Sequence, residues 1–128
     1  MNPLVDEWII KAEGDFNTAN RELQASEEPN YDAVCFHAQQ CVEKYLKATL
    51  VDAGIEFEKT HDLGILLDML VRLEPTWEEM RKDMDSLAGL AVEVRYPGYC
   101  AESEDAHVAF QIASQVRQVV RQRFGLHQ

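Results

Sequence analysis

The sequence predicts an all-α protein, an antiparallel up-down four-helix bundle with one additional short helix. Apolar residues recur three or four positions apart along almost the whole chain, as they do on one face of a helix. No segment shows the clear alternation of a half-buried strand. Four of these stretches span about 20 residues each, and the short connections between them favour antiparallel neighbours. The length of 128 residues suits one domain, which we expect to span residues 1–128.

The first two helices have recognisable start and stop signals. Asn2 is a candidate N-cap, and Pro3 stands at the first helical position, where a missing N–H is harmless. The segment SEEPN at residues 26–30 ends this helix, and its asparagine can cap the next one. The second helix is expected over about residues 31–53, with Gly54 ending it.

The third and fourth helices are predicted from signals of the same kind. Thr60 is expected to cap a short third helix, which Pro75 closes. Thr76 and Glu79 have the spacing of a capping box, which predicts that the fourth helix begins there. Pro97 disfavours the helical conformation of the residue before it and is expected to end that helix.

The last helix is expected between a cap at Ser103 and a stop at Gly125. Three arginines lie near its C-terminal end, where cations interact favourably with the helix dipole: Arg117, Arg121 and Arg123. We expect them to stabilise the helix rather than to bind a ligand.

The charge balance excludes several classes of partner. The sequence has 12 lysines and arginines against 23 aspartates and glutamates, a formal net charge of −11. Domains that coat nucleic acid or bind anionic membranes cluster basic residues, and this chain would repel both. We therefore expect no extended nucleic-acid surface and no membrane association. A nucleotide contact must be local, with a few cations in a pocket.

The sequence also indicates a cytoplasmic protein. The start, MNPLVDEWIIKAEGD, lacks the basic and apolar regions of a signal peptide. No apolar run approaches the roughly 20 residues of a membrane-spanning helix. The three cysteines are odd in number and form no CxxC pair, which fits reduced thiols.

The second predicted helix has a polar face opposite its apolar seam. Four polar residues fall within about 80° of one another on that face: His37, Gln40, Lys44 and Lys47. Exposure to solvent is the ordinary explanation of such a stripe. However, Phe36 lies on the same side with Ala33 and Val51, and a solvent-exposed face rarely needs a phenylalanine. Another helix, a second subunit or a ligand is therefore expected to pack there.

A second candidate site lies where the fourth predicted helix ends. Arg95 and Tyr96 stand directly before the turn at Pro97. An arginine there can hold a carboxylate or phosphate with two hydrogen bonds, and a tyrosine ring can stack on a base. The alternative is structural, with Arg95 pairing with an acid such as Glu93 or with a helix-end carbonyl.

Other motifs give weaker signals. His61 is either an oriented imidazole or part of a helix start. Cys35, His37 and Cys41 are close in sequence, but Cys35 points roughly 120–160° away from the other two around a helix. We therefore expect no metal site and no cofactor. The GxSxG, GxxxxGKS/T and GxGxxG motifs of nucleophiles and phosphate loops are absent.

Three segments together resemble the HEPN (higher eukaryotes and prokaryotes nucleotide-binding) domain family. They are YDAVCFHAQQCVEKYLKATL at residues 31–50, HDL at 61–63 and AVEVRYPG at 91–98, in matching order and spacing. The last segment is similar to the RYP-type branch. The resemblance implies a helical bundle, often homodimeric, of bacterial or archaeal origin. It also implies an association with a minimal nucleotidyltransferase in a toxin–antitoxin-like pair, and a nucleotide as ligand.

Several HEPN branches are metal-independent ribonucleases, and this sequence departs from their motif. They carry an arginine followed four to six residues later by a histidine. Arg95 matches the arginine, but Tyr99, Cys100 and Ala101 stand at the later positions. The nearest downstream histidine is His107. No catalytic residue is therefore assigned.

The resemblance implies a set of residues that bind a nucleotide or a partner. They are Lys44, Lys47, His61, Arg95 and Tyr96, with His37 and Gln40 as less certain members. The sequence thus favours a non-catalytic, homodimeric binding module for a nucleotide or a nucleotidyltransferase. The alternatives are a ribonuclease in which His107 or His61 replaces the absent histidine, and a purely structural dimeric bundle.

Overall fold

The protein is built from α-helices. The structure, a computed structural model, describes residues 2–126. Within that range it contains five α-helices, one 3₁₀ helix and no β-strand. In chain order these are α1 (Pro3–Gln24), α2 (Tyr31–Asp52), α3 (Leu63–Leu70), the 3₁₀ helix (Pro75–Met80), α4 (Arg81–Glu93) and α5 (Ser103–Arg123). The all-α prediction is confirmed, with α3 as the additional short helix.

Contacts at both ends show that α1 and α2 are antiparallel. The Lys47 ammonium near the end of α2 lies 5.5 Å from the centre of the Trp8 ring, near the start of α1. At the opposite end, the Glu22 carboxylate of α1 accepts the N–H of Asn30, which precedes α2, over 2.9 Å.

α4 and α5 complete the alternating order of the bundle. The N–H of Ala101, just before α5, donates to the Asp32 carboxylate at the start of α2 over 2.7 Å. At the other end, Arg123 of α5 lies 3.4 Å from Asp52 of α2. α5 therefore runs parallel to α2, while α4 returns the chain from α3 to the start of α5. The predicted up-down four-helix bundle is confirmed.

Several predicted helix boundaries are confirmed by their local geometry. Asn2 Oδ1 accepts the N–H of Leu4 over 2.8 Å at the start of α1. Asn30 Oδ1 accepts the N–H of Ala33 over 3.0 Å at the start of α2. Gly54 follows α2 with a φ of 71°, a left-handed conformation that glycine adopts without steric strain.

Two predicted N-caps are wrong by one or two residues. α3 is capped by Asp62, whose carboxylate accepts an N–H of the first turn, while Thr60 accepts the N–H of Asp62 instead. Ser103 is the first residue of α5, and the N-cap is Glu102, which forms a capping box with Asp105. Carboxylates cap well here because their charge also interacts favourably with the positive end of the helix dipole.

The capping box predicted at Thr76 and Glu79 is wrong. Both residues lie in the 3₁₀ helix, and α4 begins only after it. Trp77 and Met80 are both buried against the core. Residues three apart eclipse one another in a 3₁₀ helix, so this conformation points both side chains inward.

α2 is the central helix of the bundle. The predicted apolar seam is fully buried along its length: Val34, Ala38, Cys41, Val42, Tyr45 and Thr49. Polar residues elsewhere around the same helix are buried too, among them Gln39, Glu43 and Lys47. The side of α2 opposite its seam is therefore covered rather than freely solvated. No helix within residues 2–126 is long and apolar enough to cross a membrane.

Candidate functional site

A cleft of about 440 Å³ lies on the polar side of α2, between α1 and the loop that connects α2 to α3. We call it the lysine cleft. It is lined by Trp8 of α1, by Gln40, Glu43, Lys44 and Lys47 of α2, and by Phe57, Lys59 and His61 of the loop. The α2 residues share one face because they are three or four positions apart. Four residues predicted to bind a ligand are therefore brought together: Gln40, Lys44, Lys47 and His61.

Glu43 connects the groups at the floor of the lysine cleft. Its Oε2 lies 2.9 Å from the Lys47 ammonium, and its two carboxylate oxygens lie 3.0 and 3.1 Å from His61 Nδ1. Only 2% of Glu43 is exposed. Gln39 Nε2 donates to the His61 carbonyl over 3.3 Å, which holds the loop against α2. His61 is thus the loop residue that contacts the floor of the cleft.

Lys47 is buried between two aromatic rings. Its exposed fraction is 5%, and its ammonium lies 5.5 Å from the Trp8 ring centre and 6.0 Å from the Phe57 ring centre. A buried ammonium loses its hydration, so it needs a carboxylate and other favourable electrostatic contacts. Glu43 supplies the carboxylate, and the negative faces of the rings supply the rest.

Lys44 is paired with a buried carboxylate that sequence analysis missed. Its ammonium lies 2.5 Å from Asp15 Oδ2, and Asp15 Oδ1 lies 2.8 Å from His37 Nδ1. Asp15 is on α1 and only 9% exposed. Its position three residues after the buried Ala12 was the available signal, because that spacing places it on the packed face of α1.

Lys59 has a different environment from the other two lysines of the cleft. It is exposed and, among residues 2–126, makes no ion pair. His61 is also accessible, with 69% of its side chain exposed. A carboxylate can only accept, so the contact with Glu43 places the proton of the neutral imidazole on Nδ1. Nε2 of that form is then a hydrogen-bond acceptor.

Arg95 and Tyr96 lie outside the lysine cleft. The Arg95 guanidinium carbon is 5.3 Å from the centre of the Phe36 ring, and the His37 ring packs edge-on against the same phenylalanine at 5.2 Å. Arg95 makes no ion pair with another residue in the range 2–126, so the structural alternative in which it pairs with an acid such as Glu93 is not observed. Phe36 is thus partly covered by Arg95 of the same chain.

The remaining chemical groups fit structural roles. Burial raises the pKa of the Cys35 thiol to about 12, and burial also raises the pKa of Cys41. Both thiols are therefore protonated and unreactive near neutral pH. His107 is exposed on α5, with Nδ1 2.8 Å from the Ser103 carbonyl oxygen of its own helix. Residues 2–126 contain no group of three or more histidines, cysteines, aspartates or glutamates that could hold a metal ion.

Comparison with known families shows to which family this chain belongs. The family model of the HEPN domain matches residues 5–123, from the first turn of α1 to the end of α5. This chain belongs to the HEPN domain family. The match includes every residue that lines the lysine cleft. Membership of the RYP-type branch stays a prediction.

Two known proteins are similar to this HEPN domain over most of their length. It is 30% identical over 141 aligned positions to the toxin candidate MJ1304 of Methanocaldococcus jannaschii, which covers 94% of this chain and 91% of that protein. The crystal structure of ST0689, an archaeal HEPN homologue, matches with a TM-score of 0.67 at 23% identity. That match covers 93% of this chain and 96% of the other, and it supports the fold alone.

In this HEPN domain the lysine cleft combines three kinds of contact. Lysine ammonium groups are donors for an anion, the Glu43 carboxylate is an acceptor, and Trp8 and Phe57 present aromatic rings. This combination matches a small ligand with an anionic end and a flat ring.

Proposed function

We propose that this HEPN domain is a non-catalytic module that binds a nucleotide in the lysine cleft, as one member of a toxin–antitoxin-like pair. One observation carries the proposal. A chain with a net charge of −11 brings three lysines and two aromatic rings into a single cleft. Even a small local excess of positive charge on an otherwise acidic protein favours a small anion over an anionic polymer, which the rest of the surface would repel.

The dimensions and chemistry of the cleft support a nucleotide. Its volume of about 440 Å³ lies in the range of small-ligand pockets. Ammonium groups form charge-assisted hydrogen bonds with phosphate oxygens, and a base stacks favourably on an aromatic side chain. We expect Lys59 to make the main ion pair with the phosphate, because no carboxylate of the described chain is paired with this lysine.

The toxin–antitoxin-like role is supported by the relative that is named as a toxin candidate. We propose that a nucleotidyltransferase partner and a second copy of this chain are its protein partners. The exposed Arg95 and Tyr96 lie outside the lysine cleft and are available for such contacts.

A second candidate function is metal-independent cleavage of RNA with His61 as the base. The observation in its favour is the contact between His61 and the Glu43 carboxylate, because a carboxylate that orients an imidazole is a common arrangement in acid–base catalysis. We favour binding without catalysis because Tyr99, Cys100 and Ala101 stand where the ribonuclease branches carry histidine.

A fluorescence titration tests nucleotide binding. Trp8 lines the cleft while Trp77 is buried in the core, so a ligand that stacks in the cleft should change Trp8 emission alone. We expect AMP to change the emission of the unmodified protein but not that of a Trp8→Phe variant. Lys59→Ala should weaken binding roughly tenfold, the loss of about one charge-assisted hydrogen bond.

Lys82→Ala is the matched control, because Lys82 is an exposed lysine of α4 that does not line the cleft. Its affinity for AMP should equal that of the unmodified protein. If neither fluorescence nor calorimetry detects binding of any nucleotide at millimolar concentration, the proposed function is wrong.

A further inference from the structure

Two of the three lysines in the cleft are already neutralised inside the protein. The Lys44 ammonium lies 2.5 Å from Asp15, and the Lys47 ammonium lies 2.9 Å from Glu43. Only 10% of the Asp15 side chain and 3% of the Glu43 side chain are exposed. Both carboxylates are fixed by packing, so an incoming anion cannot displace them into solvent. Their negative charge remains next to the ligand.

Lys59 alone contributes a cation without a carboxylate partner in the described chain. The charges of Lys44 and Lys47 are balanced by those of Asp15 and Glu43. The positive charge of Lys59 is therefore the net charge of these five groups. His61 does not add to it when neutral, because its Nδ1 faces Glu43 and its Nε2 is then an acceptor. The cleft thus offers a small excess of positive charge beside several acceptors.

From this balance we infer that the ligand of the lysine cleft is a nucleoside monophosphate rather than a di- or triphosphate. The inference rests on the proposed function and specifies its ligand. A single phosphate group carries roughly 1.5 to 2 negative charges near pH 7, which Lys59 and the partly exposed Lys44 can share. Further phosphates would bring negative charge towards Asp15 and Glu43. Partly buried charges are poorly screened by salt, so this repulsion persists at physiological ionic strength.

The experiment compares AMP, ATP, adenosine and inorganic phosphate by calorimetry at one ionic strength. EDTA is present, so that no divalent cation neutralises ATP. AMP should bind at least about tenfold more tightly than ATP, and more tightly than adenosine or inorganic phosphate. The unmodified protein is used at pH 7.5 throughout.

A gain of charge supplies an independent test. Gln40 lines the cleft, is half-buried and makes no hydrogen bond through its side chain with another described residue. Gln40→Lys adds a cation while keeping a good helix former. It should reduce the preference for AMP over ATP several-fold. Gln111→Lys, at an exposed position of α5, makes the same change outside the cleft and should leave the ratio unaltered.

The results separate this inference from the proposed function. ATP that binds the unmodified protein as tightly as AMP overturns the monophosphate inference and leaves nucleotide binding intact. A folded Gln40→Lys variant with an unchanged ratio also overturns it, because the charge balance would then not set the preference. Absence of binding by AMP and ATP alike, or inorganic phosphate that binds as tightly as AMP, overturns the proposed function as well.

Discussion

The Lys44 ammonium on α2 lies 2.5 Å from the Asp15 carboxylate on α1 and joins the two helices beside the lysine cleft. Asp15 is 9% exposed, and its other oxygen contacts His37. Lys44 is therefore both a candidate ligand contact and part of the packing between α1 and α2. Its replacement has two consequences, and they can be measured separately.

Replacement of Lys44 by alanine should lower the free energy of unfolding by about 1–3 kcal/mol, because Asp15 would keep only His37 as a partner for its buried carboxylate. Lys59→Ala should change it by less than about 0.5 kcal/mol, since Lys59 is exposed and has no ion pair within residues 2–126. Urea denaturation of both variants measures the difference. Equal stabilities would show that the contact between Lys44 and Asp15 contributes nothing to the fold.

The pair formed by Lys47 and Glu43 should contribute more to stability, because both side chains are almost fully buried. Lys47→Ala leaves the Glu43 carboxylate without its ammonium and should cost about 3–5 kcal/mol. The double variant Glu43→Gln with Lys47→Met removes both charges and should recover most of that loss. Thermal denaturation compares the three proteins, and a double variant no more stable than Lys47→Ala would contradict this account.

Sequence periodicity was sufficient to predict the helices. It did not predict which charged residues are buried where two helices pack together. The α2 seam from Val34 to Thr49 is buried as predicted, because apolar spacing reports directly on packing. Glu43 and Asp15 escaped notice because a charged residue on a helix is normally assigned to solvent. Only the three-dimensional arrangement shows that each is buried beside a lysine.

The loop residues of the cleft could not be placed from sequence. Phe57 and Lys59 have no periodic neighbours, so nothing in the sequence indicates which face of the bundle they cover. The same holds for Arg95, which follows the end of α4. Its stacking on Phe36 depends on how α4 ends beside α2, and that relationship is a matter of tertiary packing.

The homodimer stays a prediction. The surface that we expect to form the contact is the end of α4 rather than Phe36 of α2. Phe36 is partly covered by Arg95, while Val92 and Tyr96 are 53% and 64% exposed at the end of α4. We expect a dimer at micromolar concentration, and Val92→Asp should weaken it by placing a charge in an apolar contact. Light scattering measures the mass. A value of 14.6 kDa throughout the micromolar range would exclude the dimer.

The absence of a histidine four to six residues after Arg95 predicts no cleavage of single-stranded RNA in EDTA above background. A positioned acid or base typically contributes 10²–10⁴ in rate, and tyrosine, with a pKa near 10, is a poor base at pH 7. A fluorogenic oligonucleotide assay measures turnover. Cleavage that is lost in Arg95→Ala and in either His61→Ala or His107→Ala would establish the ribonuclease function instead.

Stability should fall in acid through Glu13 of α1, whose carboxylate forms an ion pair with Arg117 of α5. Burial acts to raise the pKa of Glu13, but the hydrogen bonds from Arg117 and Tyr45 outweigh it, so the pKa of this carboxyl lies below its ordinary value of 4.5. The folded state therefore holds this proton less tightly than the unfolded chain does. The contribution is fully present above pH 4.5 and is lost as the pH falls through the lowered pKa of the folded protein.

Glu13→Gln should flatten this acid limb of the unfolding free energy, whereas Glu7→Gln, at an exposed position of α1, should not. Urea denaturation between pH 3 and pH 7 measures the slopes, and parallel acid limbs for Glu13→Gln and the unmodified protein would refute the assignment.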